Sequence, residues 1–268
     1  MRMPLAVTSP MRSTALLADV YRRLRAASPL LNIGAGLPGP DGDWITGRRL
    51  AEDQGVLELL VAAEELRIRD VYGVRARRDV AATWVLHRYA FTAVLAMSGP
   101  WYLDRRVPRL TPDAVAYDWR TRAISVAGAE GVSCLPGDPA AQSPGVRTVA
   151  DEESLRAELR AAVADHLAPV LEAFRPVIRR GARALWGMAT DELAEGIWHL
   201  GRVLGDQRAA VGAAEALLPG GTAPYFGRAG FRTPEGPNGE ATRTRAGCCF
   251  FYTIRPDEVC DTCPRLSR

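Results

Sequence analysis

Four of the five cysteines in this 268-residue chain crowd into sixteen residues near its end, as Cys248-Cys249, Cys260 and Cys263. The spacing is C-C-x10-C-x2-C, with Pro264 directly after the last thiol. A C-x-x-C pair brings two thiolates to one metal across a tight turn, and a proline at its exit fixes the backbone there. Three chemistries compete for such a set. Structural zinc usually takes two spaced pairs. Adjacent cysteines in an extended strand point to opposite faces, so both reach one tetrahedral ion only if the backbone bends. A [2Fe–2S] core is longer and shares four thiolates between two irons, although this spacing departs from the plant-type ferredoxin pattern. Disulfides are disfavoured in a reducing compartment, where cysteines serve as ligands or catalysts. On the residues alone, iron–sulfur ranks first, zinc second, and disulfides or free thiols last.

The neighbours fit a metal without choosing one. Arg243, Arg245, Arg255, Arg265 and Arg268 flank the cysteines, and guanidinium groups near a negatively charged cluster stabilise its reduced form. The plainer reading of any single one is that this chain, which has no lysine, carries arginine everywhere. Phe250, Phe251 and Tyr252 can shield a cluster from water or simply pack on the body of the protein. Cys134 stands apart and reads as an incidental free thiol.

The elements that must position these residues are mostly helices. Leu16, Leu17, Val20, Tyr21 and Leu24 recur at helical spacing and predict a helix over Thr14–Ala26, with Ser13 as N-cap. A Gly/Pro/Asp loop follows over 34–43. Two further helices are predicted over Thr46–Leu66 and Asp79–Met97, the second ended by Gly99-Pro100. The stretch Arg106–Val126 alternates short apolar runs with turn residues and predicts a small hairpin; 128–145 reads as loop. A strong helical stripe runs from Leu155 to Phe174, with Thr148 as cap and a kink at Pro169. Arg175-Pro176 starts another helix reaching Leu204, and a short one spans Asp206–Leu218. Residues 219–247 read as irregular. The expected fold class is mainly α: a helical domain over 1–220 with a small β insertion at about 105–127, then a loop-rich cysteine segment over 221–268.

Bulk properties bound the function. With 47% hydrophobic and 24% charged residues, the chain can bury a sizeable core and is not wholly disordered. A net charge of +3 does not ask for nucleic acid. Residues 1–12 lack the apolar stretch of a signal peptide, and the apolar run from Val80 to Leu103, interrupted by His87 and Arg88, reads as a buried core helix. A cytoplasmic protein is expected. No G-x-G-x-x-G or G-x-x-x-x-G-K signature marks a nucleotide site.

The tail resembles that of the FhuF-like ferric-siderophore reductases, in which two adjacent cysteines precede a C-x-x-C at the extreme C-terminus. The approach Arg245-Ala-Gly-Cys248-Cys249 and the ending Cys260-Asp-Thr-Cys263-Pro264 carry that resemblance. The segment Arg183-Ala-Leu-Trp186-Gly-Met-Ala, followed by His199-Leu-Gly-Arg202, is similar to the family's middle, and also to the helical domain of aerobactin-type siderophore synthetases. The resemblance implies a [2Fe–2S] cluster on Cys248, Cys249, Cys260 and Cys263, and one-electron reduction of a ferric siderophore, hydroxamate-type by expectation. It further implies an external donor such as a ferredoxin or flavoprotein and leaves room for peripheral contact with the cytoplasmic membrane. Arg179, Arg180, Arg183 and Trp186 are the candidate substrate residues, each with a plainer reading as exposed charge or core. An iron–sulfur electron carrier or sensor, and a siderophore-binding or biosynthetic protein with a structural zinc, are the alternatives. One departure stands out: Gly187 and Met188 follow Trp186 where relatives are expected to carry an asparagine.

Overall fold

The computed structural model describes residues 10–28, 30–39, 42–232, 242–258, 260 and 262–264, the side chains of 10–14 excepted. In chain order the elements are α1 (Pro10–Ala27), β1 (Ile33–Ala35), β2 (Trp44–Thr46), α2 (Gly47–Glu52), α3 (Gln54–Tyr72), α4 (Arg78–Asp104), β3 (Arg106–Pro108), β4 (Val115–Asp118), β5 (Ile124–Val126), β6 (Val132–Cys134), β7 (Val146–Thr148), α5 (Glu152–Ile178), α6 (Ala182–Leu204), α7 (Gln207–Leu217), β8 (Gly230–Arg232) and β9 (Thr242–Thr244). The mainly α class holds. Single turns of 3₁₀ helix at Pro112–Ala114 and Phe251–Thr253 complete the described elements.

The centre of the molecule is α4. Its side chains are apolar all round, and such a helix must be covered on every side. Residues Val80 to Trp101 are almost continuously buried, packed by α1, α3, α5 and α6. By length and composition alone α4 could cross a membrane; here it is the core helix expected from its sequence.

The helix does not stop at Gly99-Pro100 but continues to Asp104. A proline inside a helix leaves the carbonyl four residues earlier without its donor. The hydroxyl of Tyr21 on α1 fills that gap, donating to the Ala96 carbonyl at 2.9 Å. Gly99 completes the fit: a Cβ there would come within 2.6 Å of Leu24 on α1. The proline is thus tolerated because a neighbouring helix supplies what it removes.

Other boundaries moved for local reasons. The predicted helix 46–66 divides at Asp53, whose carboxylate caps α3 by accepting from the amides of Gly55 and Val56. Helix α1 begins at Pro10, so Ser13 lies inside it rather than at its cap. Asp151, not Thr148, caps α5, accepting from Ser154 N at 2.7 Å. Helix α5 runs on through both Pro169 and Pro176, and the break expected at Arg175-Pro176 falls at Arg179, in the left-handed region with φ 55°. Buried Phe174 and Ile178 hold the last turn on the core.

The predicted hairpin is present as β4 and β5, paired antiparallel. It is the middle of a four-stranded sheet, β1-β5-β4-β2, whose outer strands come from residues 33–46. A second sheet, β3-β6-β7, crosses the stretch expected as loop, and β8 pairs β9 within the stretch expected as irregular. Cys134 sits buried in β6.

Candidate metal centre and its cavity

The cysteine segment is fastened to the helical body by two wholly buried carboxylates. Asp191 and Glu192 are consecutive on α6 and both are 0% exposed. Side chains one position apart on a helix diverge by about 100°, so the two reach different partners. Asp191 accepts from the backbone amides of Ala246 and Gly247, both at 2.7 Å. Behind it lies Arg243, itself fully buried, bonded to the Asp191 carbonyl at 2.7 Å, its carboxylate at 3.2 Å and Glu195 at 2.9 Å. Gly247 suits this closeness, because a Cβ there would lie 3.2 Å from Asp191 Oδ2 and push the carboxylate by a few tenths of an ångström. Burial pushes the Asp191 carboxyl up, while Arg245, Arg243 and the two amides pull it back. Both its oxygens act as acceptors, the role of an ionised carboxylate.

Glu192 points the other way, to His87 on α4 and to Arg245, whose Nη2 lies 2.7 Å away. Burial pushes its carboxyl up, but the facing His87 and Arg245 reverse that and hold it below its usual range. Arg245 is held more strongly protonated than an ordinary arginine: burial works against its charge, and the Glu192 and Asp191 carboxylates overcome it. None of this was legible in the sequence. Asp191 and Glu192 draw no notice there, and His87 only as an interruption of an apolar run. The only signal was a pair of acids on an otherwise apolar stripe.

On the far side, α4 holds the segment by Trp84, whose indole N–H donates to the Cys249 carbonyl at 2.7 Å. Phe251 stacks on the same indole and meets Tyr72 edge-on, while Phe250 and Ile254 enter the core. Phe250 has φ 62°, a left-handed conformation that costs a bulky residue on the order of 1–3 kcal/mol. That twist turns the chain sharply just after the adjacent cysteines.

Of the four tail cysteines, Cys263 is buried and the others are partly so. The sulfurs of Cys249 and Cys260 lie 3.8 Å apart. Two thiolates on a tetrahedral ion with bonds of about 2.3 Å stand about that far apart, so this pair fits one metal as it stands. Burial pushes the Cys260 thiol up to about 12, and the neighbouring Cys249 and Cys263 add to it. Cys248 is raised by burial and also feels Cys249 and Cys263, with the Phe250 amide and Arg180 acting in the opposite sense. Cys248 and Cys260 each feel Cys249 and Cys263, and a cation beside them would relieve the repulsion that opposes their ionisation. Among the described residues no three Cys, His, Asp or Glu side chains converge on a single point. A two-iron core takes its four thiolates as two per iron, and Cys249–Cys260 is a pair at the spacing one iron would need. The Cys260–Cys263 turn is closed by Cys263 N to the Cys260 carbonyl at 2.9 Å, and Arg245 N donates to the Thr262 carbonyl at 3.2 Å.

A cavity of about 710 Å³ opens against this segment, with Cys248 and Cys249 in its wall. Arg180 and Arg183 line it, as do His87, Gly187 and Met188. The departure at Gly187-Met188 thus falls in the cavity wall. Two of the residues singled out earlier are not brought there. Arg179 lines a neighbouring depression with Arg77 and Arg78. Trp186 packs edge-on against Tyr225. His166 is a core histidine held between Tyr89 and the Leu110 carbonyl. His199 packs on Phe91, with its Nε2 buried and unpartnered among the described residues. Arg255 lies over the Tyr72 ring; Arg265 and Arg268 fall outside the described residues.

Comparison with known proteins agrees with this centre. No protein with a curated description matches the chain. Among solved structures, the ATP-bound aerobactin synthetase IucA from a hypervirulent pathotype of Klebsiella pneumoniae superposes with a TM-score of 0.53 at 17% identity. The match covers 72% of this chain and 41% of that one, so the likeness is one of fold and the chain spans under half of that protein. Residues 245–265 match the family described as FhuF 2Fe-2S C-terminal domain. Over its last residues, then, the chain carries a FhuF-type [2Fe–2S] domain, and its cofactor is a [2Fe–2S] cluster.

Proposed function

We propose that the chain is a one-electron reductase of ferric siderophores, with Cys248, Cys249, Cys260 and Cys263 as the four ligands of its cluster. One observation carries the reading: the cavity large enough for a chelate has two of those cysteines in its wall. When bound, a [2Fe–2S] group supplies electrons one at a time. The residues around it do the rest. Asp191 and Trp84 fix the backbone on either side of the adjacent cysteines, Arg180 and Arg183 offer donors to an oxygen-rich chelate, and the aromatic run 250–252 limits water. Ferric iron is hard and highly charged, and hydroxamate or catecholate oxygens hold it firmly; ferrous iron is held far less well. A single electron therefore loosens the metal.

The chain has no dinucleotide fingerprint, so the electron comes from a separate cytoplasmic donor such as a ferredoxin or flavoprotein. Its potential must lie near or below that of the chelate, since each 59 mV of shortfall costs about tenfold in a one-electron equilibrium. The test is anaerobic. Protein reduced with dithionite and desalted is mixed with a ferric siderophore in the presence of a ferrous-specific chelator. Return of the oxidised spectrum with one ferrous ion trapped per cluster supports the reductase. A reduced spectrum that persists with every siderophore tried favours an electron carrier or sensor. The fold shared with a siderophore synthetase supports a second reading, a biosynthetic protein, which requires that the chain bind ATP.

A further inference from the structure

We propose that the cavity selects ferric chelates of net negative charge, and that Arg180 and Arg183 are the residues that read that charge. The inference deepens the reductase reading and rests on it. Both guanidinium groups are stacked on aromatic faces: Arg180 lies 4.1 Å from the ring centre of Phe250 and Arg183 lies 3.9 Å from that of Phe226. Stacking fixes the plane of a guanidinium and leaves its N–H edge open to oxygen acceptors. The left-handed turn at Phe250 helps set the first of these stacks. Neither arginine is ion-paired with a carboxylate among the described residues.

The other charges in the wall are already committed. Asp191, the only acid lining the cavity among the described residues, gives its oxygens to Ala246, Gly247 and Arg243. Arg245 and His87 are held by Glu192. Among the described residues, what remains for a ligand is two cations, each on its own aromatic support. A neutral tris-hydroxamate chelate has no net charge to meet them. A carboxylate-bearing or catecholate chelate does, and it also needs them, because four thiolates around a diferric core repel an incoming anion. Arg180 neighbours Cys248 and can serve the cluster as well. Arg183 stacks on Phe226, well before the cysteines in the chain, and it is the cleaner reader of the two.

The test uses the holoprotein and gallium(III) chelates, which bind as ferric ones do but accept no electron. Calorimetry at low and high salt would compare gallium citrate, a gallium tris-catecholate and a neutral gallium tris-hydroxamate. The expected result is that at least one anionic chelate binds at least about tenfold tighter than the neutral one, with the advantage shrinking in salt. Arg183→Gln and Arg180→Gln should each weaken the anionic chelates more than the neutral one and so shrink that advantage severalfold, and Arg183→Lys should recover part of it. Equal binding of neutral and anionic chelates overturns the proposal. So does an advantage that survives the double Gln variant. A third outcome also overturns it: all chelates weakened alike, with only the cluster's midpoint potential moved, which would assign the arginines to the cluster. The reductase reading is judged separately, by electron transfer to the corresponding ferric chelates, and can fail while the gallium result stands.

Discussion

Asp191 carries more of the site than any single cysteine. It accepts from two tail amides and faces a buried guanidinium, so replacing it leaves groups on both sides without a partner. Asp191→Asn keeps the volume but loses the charge and turns an NH₂ toward one of the amides it served. Removing one partner of a buried ion pair costs on the order of 3–5 kcal/mol. We expect that loss in the urea midpoint, and a lower iron content per chain. The cysteines give a sharper prediction: Cys→Ser at position 248, 249, 260 or 263 should bleach the visible bands or make them decay on standing, while Cys134→Ser should leave them intact. A normal, stable spectrum in any one tail variant would remove that residue from the ligand set.

His166 supplies a pH test far from the metal. Burial holds its pKa at about 4, below the usual 6.5. The unfolded chain binds that proton first, so stability falls as pH drops through the interval between the two values and levels off below it. The full interval is worth about 3 kcal/mol. Urea midpoints at pH 7, 5.5 and 4 should fall more steeply for the native chain than for His166→Gln, and equal slopes would refute the assignment.

At the scale of elements, the junction of α1 with α4 shows how a sequence signal was read correctly and outvoted. Gly99-Pro100 is a sound helix terminator, yet α4 crosses it because Tyr21 supplies the missing donor to Ala96. Tyr21→Phe removes only that hydroxyl. It should cost about 1–3 kcal/mol, the penalty of one buried carbonyl left unmade, visible as a lower melting temperature and faster amide exchange in the middle of α4. The amphipathic stripes of α5, α6 and α7 were legible because each repeats over several turns, and so was the β4–β5 hairpin. The remaining strands were not: most are three residues long, too short for alternation to register. In the site, the cysteines announced themselves by type and spacing. The residues that hold them did not, because a buried Asp–Arg pair is made by two segments some fifty residues apart, and no local pattern records such a meeting.

Across the whole molecule, the hydrophobic core is built chiefly from α1 and α3–α7, with Phe250 and Ile254 as the tail's main contribution. The helical body should therefore outlast the cluster. Removing iron with a chelator under reducing conditions should leave the far-ultraviolet dichroism near its holo value and lower the melting temperature. Wholesale loss of helix would show instead that the cluster holds the body together. With arginine as its sole long basic side chain, the protein has no lysine ammonium groups to lose in mild alkali, so its basic patches should hold anions there better than lysine-based ones would.

The clasp between α6 and the segment before Cys248 has a consequence for the speed of electron exchange. A redox centre whose surroundings shift when its charge changes must wait for that shift, and the waiting sets a barrier. Here the peptide units ahead of the adjacent cysteines are pinned by Asp191, and the carbonyl of Cys249 is held by the indole of a core helix. Arg243 and Asp191 are sealed from solvent, so few water dipoles near them are free to reorient. If the proposed reaction holds, the protein would offer an arriving electron a frame already set, and the larger part of the remaining barrier would lie with the chelate.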